Sequence, residues 1–337
     1  MIRRLKTQAL VEGLITFLPK CANLLTSKTT GTDSAKYCYA VWLRHEVKTR
    51  PHRSGDLINT IVELGPGDSL GIGLASLIAS AKKYIAIDVI KYADQEKNLL
   101  ILNELKHLFQ NRTAIPDLNE FPEIKPHLES YQFPSWLTCC STDLSFNDHV
   151  HSLQNALSHI NSSTSPIAYA SPENAFESIS ENSIDFIFSQ AVLEHVDDID
   201  AVYRNCYKWL APGGLMSHQI DFKSHGMALT WDGHWTYSPL VWQMIRGRRP
   251  YLINRKPCSV HLNKMLNCGF EIVELEHFKM ASTLKHRHLA HRFRSMSPED
   301  LTTAGAYIIA RKPAVQLKQP HPKRSADKKG GNKTCVE

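Results

Sequence analysis

The chain has 337 residues, 42% of them hydrophobic and 21% charged, with a formal net charge of +6 at neutral pH. That apolar content can close a sizeable core, so an intrinsically disordered chain is excluded, and the length allows one large α/β domain with insertions or two small domains. Much of the positive excess falls in the tail KQPHPKRSADKKGGNK at 318–333, which reads as a solvated end, and without it the charge makes no case for nucleic acid.

The N-terminus, MIRRLKTQALVEGLITFLPK, superficially resembles a signal peptide. Glu12 interrupts its short apolar run, however, and no small-residue cleavage site follows cleanly, so an amphipathic helix ending before Pro19 is expected. Contact of that helix with a membrane surface is a lesser alternative. No run is long enough to span a membrane. The eight cysteines are scattered, with one adjacent pair at Cys139–Cys140 and no CxxC. This suits free thiols in a reducing compartment, and the cytoplasm is the expected location.

YCYAVWLRHEV (37–47) reads as a second helix, IVEL (61–64) as a strand, Gly71–Ala81 as a helix and YIAIDVI (84–90) as a second strand. Strand, helix, strand at this spacing is a βαβ unit and implies a parallel sheet. The stretch 91–165 is too long for one crossover. It contains helices at 98–109 and around 147–160, separated by a Pro- and aromatic-rich piece at 114–137 suited to capping or shaping a site. Strands follow at 167–170 and from 183. A helix at 199–210 is stopped by APGG (211–214), and a fifth strand spans 215–222. A second insertion, 223–257, is rich in Trp, His and Arg. A helix over 259–270 and strands at 270–278 and 305–312 close the pattern, which favours one α/β domain with two insertions.

The turn Glu63-Leu-Gly65-Pro-Gly67-Asp-Ser-Leu-Gly71 joins the first strand to its helix. Glycines there let the backbone turn sharply and approach a ligand, while the helix start offers unpaired N–H groups. Asp88 ends the next strand, 21 positions after Gly67, where its carboxylate reaches both hydroxyls of a ribose. The GxGxxxG spacing and the acid ahead of it, Glu63, disfavour a pyrophosphate and suit a ligand carrying ammonium and sulfonium charges.

With ELGPG at 63–67, Asp88, IDFIFSQAVLEHV at 184–196 and LAPGG at 210–214 in this order, the chain resembles the class I S-adenosylmethionine-dependent methyltransferases. The resemblance implies a doubly wound, mostly parallel seven-stranded α/β sheet ending in an antiparallel hairpin, with S-adenosylmethionine as cofactor. It implies that Gly65 and Gly67 lie against the methionine portion with Glu63 at the floor of the site. Asp88 would bind the ribose, and Val89 or Ile90 would pack on the adenine. Glu173 or Asn174 stands where the family contacts the adenine amino group, the common Gly-Asp-Ala being absent. Ser189, Gln190 and Ala191 would line the methyl side. The corresponding division is a helical cap at 1–57, a methyltransferase domain at 58–313 with insertions at 91–165 and 223–257, and a basic tail at 314–337.

Candidate bases cluster after the fourth and fifth strands: His195, His218 and His225, with Asp221 and His234 beside them. Strand alternation sets His218 and Ile220 on one face and Gln219 and Asp221 on the other. His218, His225 and His234 show no compact ligand spacing, so no metal is expected. Trp231, Trp235, Tyr237, Trp242 and Tyr251 with Arg246, Arg248, Arg249 and Arg255 suit a sugar or anionic acceptor, against the plainer alternative of a lid packed on the core. The expected reaction is methyl transfer to an oxygen of a small polar molecule such as a sugar or glycan precursor. A non-catalytic binding protein of this fold and an NAD-dependent enzyme are the rivals.

Overall fold

Strands β1 (Thr60–Leu64), β2 (Lys83–Ile87), β3 (Ile167–Ala170), β4 (Ile184–Gln190), β5 (Leu210–Asp221), β6 (Glu271–Lys279) and β7 (Thr303–Arg311) hydrogen-bond in the order β3-β2-β1-β4-β5-β7-β6. The first five run parallel, and β7 is antiparallel to both β5 and β6. This is the doubly wound, mostly parallel seven-stranded sheet that the sequence predicts. The computed structural model describes residues 6–18, 32–53, 55, 58–90, 94–137, 144–249 and 251–314. The tail beyond 314 and the Cys139–Cys140 pair lie outside the described residues.

The two faces of the sheet follow from strand alternation. Ile61 of β1, Tyr84 and Ala86 of β2, and Phe186 and Phe188 of β4 bury against α2 (Ala35–Thr49), α3 (Gly71–Ala79), α4 (Gln95–Gln110) and α5 (Leu144–Ser158). Val62 and Leu64, Ile85 and Ile87, and Ile187 face the opposite layer. There they meet α6 (Pro172–Ser178), α7 (Ile199–Trp209) and α9 (Cys258–Asn267). The α2 segment, grouped by sequence with the N-terminal cap, is thus part of the central sandwich; Cys38 through Leu43 have no exposed surface. Six consecutive buried residues hide an amphipathic period, because α2 touches neighbours all round.

Local capping sets where the helices begin. Ser34 accepts from the Tyr37 N–H at the start of α2, Asp94 from Lys97 at α4, and Asp198 from Ala201 at α7. Ser171–Pro172 opens α6 and Ser238–Pro239 opens α8 (Pro239–Arg246), with proline at the first turn where its missing N–H is harmless. One boundary differs from expectation. APGG stops α7 but does not precede a separate strand. β5 begins at Leu210, pairs it with Ile184, and absorbs the glycines in an irregularity before Leu215 pairs with Phe186.

A third, smaller apolar cluster joins α1 (Thr7–Ile15) to the second insertion: Ala9 packs with Ala228, Tyr237, Trp242, Ile245 and Ile253. Gly13 permits this approach, since a Cβ there would lie 2.1 Å from the Met244 carbonyl oxygen on α8. No described helix is long and apolar enough to cross a membrane.

Candidate active site

β1 and β4 are neighbours whose following connections leave in opposite directions, so a crevice opens outside their carboxyl ends. The glycine turn lies in it. Gly65 and Gly67 have φ of +67° and +73°, and the Gly65 N–H donates to the Ile87 carbonyl at 2.8 Å, which holds the turn against the end of β2. A Cβ at Gly65 would come within 2.7 Å of both γ-carbons of Val192, so the turn and the loop after β4 touch through a residue that must lack a side chain.

Asp88 sits beside the turn: Oδ2 accepts from the Gly67 N–H and Oδ1 from the Ile90 N–H, both at 3.4 Å. Burial raises its pKa, and the N–H groups of Ile90, Gly67 and Val89 pull it part of the way back. These long bonds leave the carboxylate with capacity for ribose hydroxyls. Val89 next to it is 53% exposed, a free apolar surface at the same edge. Glu173 is exposed in the first turn of α6. Glu63 points away from the crevice into the α2–α3 layer, where the Tyr84 hydroxyl donates to it at 2.5 Å. Burial pushes its carboxyl up to about 8. The floor position is therefore a protonated acid under the turn rather than an open anion.

The two residues that end β4 point in opposite directions. Ser189 faces the α7–α9 layer, with Oγ 2.8 Å from His218 Nδ1, and both side chains have no exposed surface. His218 packs on Tyr203, and burial holds its pKa down to about 3. A ring enclosed in this way cannot take a proton from an acceptor at the strand edge, and the Ser189 hydroxyl cannot reach a cofactor. The sequence-based roles of these two side chains are corrected on that ground. Alternation alone put His218 on the right face, but not at this depth.

Gln190 faces the other layer and meets a polar chain that the sequence did not reveal. The Tyr307 hydroxyl donates to Ser217 Oγ at 3.2 Å, Ser217 Oγ pairs closely with His45 Nδ1, and His45 Nε2 lies 3.3 Å from Gln190 Oε1. Gln190 Oε1 can only accept, so the His45 proton lies on Nε2 and Nδ1 accepts from the Ser217 hydroxyl. Gln190 Nε2 then donates to the Lys125 carbonyl at 3.2 Å. Burial holds His45 down to about 3, so the chain is uncharged. The piece 115–137 reaches the site on this bond and on Arg44, whose buried guanidinium donates to the carbonyls of Ala40, Pro116 and Pro126. No local motif marks His45 or Arg44, which lie on the segment read only as a second helix.

Beyond Gln190 the chain turns at Ala191 (φ +53°) into a short turn, Leu193–His195. Asn254 of the second insertion clamps it: Nδ2 donates to the carbonyls of Leu193 and Val196 at 2.8 and 2.7 Å, and the backbone N–H to Glu194 at 2.6 Å. His195 Nδ1 lies 2.7 Å from the Tyr251 carbonyl, an acceptor only, so Nδ1 carries the proton and Nε2 the lone pair. Burial, reinforced by His225, lowers His195 to about 4. His225, exposed and with φ +46°, stacks edge-on to His195 at 5.2 Å and lies 3.6 Å from Asp221. Lys223 links Asp221 to Glu123 of the 115–137 piece, at 3.3 and 3.4 Å. Of the histidines expected to serve catalysis, the fold brings His195 and His225 together and separates His218.

The aromatic and cationic groups of the second insertion are mostly engaged with the protein. Trp235, Tyr237 and Trp242 are buried. Arg255 donates to the carbonyls of His234 and Tyr237 and lies over the rings of Trp242 and Phe293. Arg246 forms a two-bond pair with Asp197, and Arg249 meets Glu12. His234 is buried against Trp235. The insertion is thus a packed lid, with Trp231 and Tyr251 more open. A cavity of about 480 Å³ between α3 and α5, lined by Leu77, His149 and Pro166, lies at the amino ends of β2 and β3, away from this site.

A family model described as a methyltransferase domain matches residues 139–217. The match begins within the long stretch that follows β2, so the glycine turn and Asp88 lie upstream of it. Solved structures of similar fold include an S-adenosylmethionine-dependent methyltransferase from Mesorhizobium loti (13% identity, 83% of this chain and 100% of that one, TM-score 0.42). A second is from Methanosarcina mazei (12%, 77% and 94%, 0.41). A third is phosphoethanolamine N-methyltransferase 2 of Haemonchus contortus in complex with S-adenosyl-L-methionine (13%, 83% and 57%, 0.39). No curated protein sequence matches the chain.

The strand order, the glycine turn against Asp88 and the domain match define a Rossmann-like methyltransferase domain. The fold, together with the domain match over residues 139–217, supports a class I S-adenosylmethionine-dependent methyltransferase, with S-adenosylmethionine as its cofactor. Its own residues fit that cofactor: the turn has room only for glycine at Gly65, and Asp88 presents a carboxylate with spare acceptor capacity.

Proposed function

We propose that the chain methylates an oxygen of a small polar acceptor, with a sugar or glycan precursor as the favoured class. Two imidazoles beside a carboxylate, just past the strand that ends at Gln190, carry this reading. Bound S-adenosylmethionine supplies an electrophilic methyl group. The protein has to align the acceptor, exclude water and take a proton. In the transfer an O–CH3 bond forms as the S–CH3 bond breaks, the sulfonium becomes a thioether, and the hydroxyl proton leaves. His195 Nε2 and the His225 ring are the acceptors of that proton, with Asp221 set to steady the charge on His225.

Asp88, Gly65, Gly67 and Val89 hold the cofactor in this assignment, Gln190 is aimed at it by His45, and Glu63 supports the turn from beneath. The segments 115–137 and 223–257 shape the acceptor pocket. Lys223, Glu123, Asp221 and Gln190 offer donors and acceptors there, which favours a hydroxylated acceptor over a lipid. Cys38, Cys206, Cys258 and Cys268 are free thiols, in keeping with a reducing, cytoplasmic setting. Incubation of cell extract with methyl-labelled cofactor and identification of the labelled product tests the proposal. Label on nitrogen or carbon, or no label dependent on His225, refutes it.

A further inference from the structure

We infer that Glu194, His195 and His225 form a binding site for a divalent first-row transition ion. The sequence gives no hint of it, because thirty residues separate the turn after β4 from His225. The fold closes that gap: one ligand atom from each residue lies within 4.8 Å of the others. Glu194 is the second, independent observation. It is 3% exposed, and neither carboxylate oxygen has a hydrogen-bond partner. A buried carboxylate with no partner is costly to keep, and a cation beside it removes the cost.

The surrounding bonds match what a metal-binding histidine requires. His195 gives its Nδ1 proton to the Tyr251 carbonyl, which fixes the ring and turns the Nε2 lone pair towards Glu194 and His225. Asp221, 3.6 Å from His225, performs the same service for the second ring or adds a fourth oxygen. Asn254 pins the backbone on both sides of Glu194. Two imidazoles and one carboxylate favour an ion of the Zn2+, Mn2+ or Fe2+ kind over Mg2+ or Ca2+, and three protein ligands leave positions open. Ligand atoms around a tetrahedral Zn2+ stand about 3.3 Å apart, so binding draws the exposed His225 inwards by an ångström or so. On the reading of an oxygen acceptor given above, an open position takes the acceptor hydroxyl. With the ion bound the rings are ligands, the ion acidifies the acceptor hydroxyl, and its proton passes to Asp221 or to water; without the ion the rings act as the bases described above.

The test uses the full chain, freed of metal with EDTA and dialysed. Mn2+ binding is followed by electron paramagnetic resonance and Co2+ binding by its visible absorption. One Mn2+ per chain at micromolar affinity is expected, with a rise of several degrees in the unfolding midpoint. Glu194→Gln and the surface variant His225→Asn should each weaken binding at least tenfold and remove that rise. Absence of stoichiometric binding overturns the inference, as does binding unchanged in both variants. So does Glu194→Gln weakening S-adenosylmethionine binding in EDTA, since the carboxylate then serves the cofactor's cation. Titration of the metal-free protein with S-adenosylmethionine keeps the outcomes apart: cofactor binding without metal binding leaves the methyltransferase reading standing.

Discussion

Substitution of Gly65 by alanine isolates the contact on which the site is built. The backbone there has φ +67°, and left-handed conformation costs a residue with a side chain about 1–2 kcal/mol. The new methyl group would lie 2.7 Å from Val192 Cγ1, 2.7 Å from Cγ2 and 3.3 Å from Cβ. Because Val192 is β-branched, rotation about χ1 exchanges one colliding methyl for another rather than relieving the clash. Overpacking of this kind costs about 1–3 kcal/mol, so Gly65→Ala should destabilise by about 2–5 kcal/mol and abolish cofactor binding. Val192→Ala alone removes half-buried methyls and should cost about 1 kcal/mol. The double variant keeps the backbone strain but loses the clash, so urea unfolding of the four proteins should give a coupling energy of about 1–3 kcal/mol in favour of the pair. Additivity to within about 0.5 kcal/mol refutes the reasoning, because it means the two loops do not meet as described.

Asp88→Ala should lower S-adenosylmethionine affinity at least 100-fold by calorimetry, since charge-assisted bonds to two hydroxyls contribute about 1.5–3 kcal/mol each; unchanged affinity removes Asp88 from the ribose. Folding stability should peak near pH 6.5–7. His45, His218, His234 and His261 are lowered by burial to about 3, so stability falls with acidification below the unfolded value of about 6.5, by up to about 1.4 kcal/mol per pH unit for each ring well below it. On the alkaline side, Glu63 is raised by burial to about 8, so its contribution is lost as pH rises from about 4.5, up to about 5 kcal/mol in all. Urea midpoints from pH 5 to 8.5 check both slopes. Glu63→Gln should reduce the alkaline slope and steepen the acid one, since its contribution runs from about pH 4.5 to about 8, and a curve without slope below pH 6.5 contradicts the buried-histidine account. Arg255→Met should destabilise by about 3 kcal/mol by stranding the His234 and Tyr237 carbonyls. Unaltered thermal unfolding with a raised acceptor KM would instead place that guanidinium on the acceptor.

The strand–turn–helix at 61–79, the second strand ending at Asp88 and the fourth at Gln190 could be read directly, because strand periodicity, glycine and a strand-end acid are local signals of a local geometry. From them followed the sheet, its antiparallel end and the methyl donor. Depth was not legible. His218 and Ser189 look like active-site residues by position but close on each other inside the α7–α9 layer, while His45, on a segment read only as a second helix, turned out to aim Gln190. The arginines of the second insertion likewise carry no mark of whether carbonyls or solvent will meet them. Side-chain direction and burial depend on what packs from elsewhere in the chain. The sequence by itself determined the order of elements and the cofactor, whose expected contacts lie within a few residues of each strand end. Only the tertiary structure decided which titratable groups come together, since Glu194 and His195 are held by Asn254 and Tyr251 and meet His225, residues with no sequence proximity to β4.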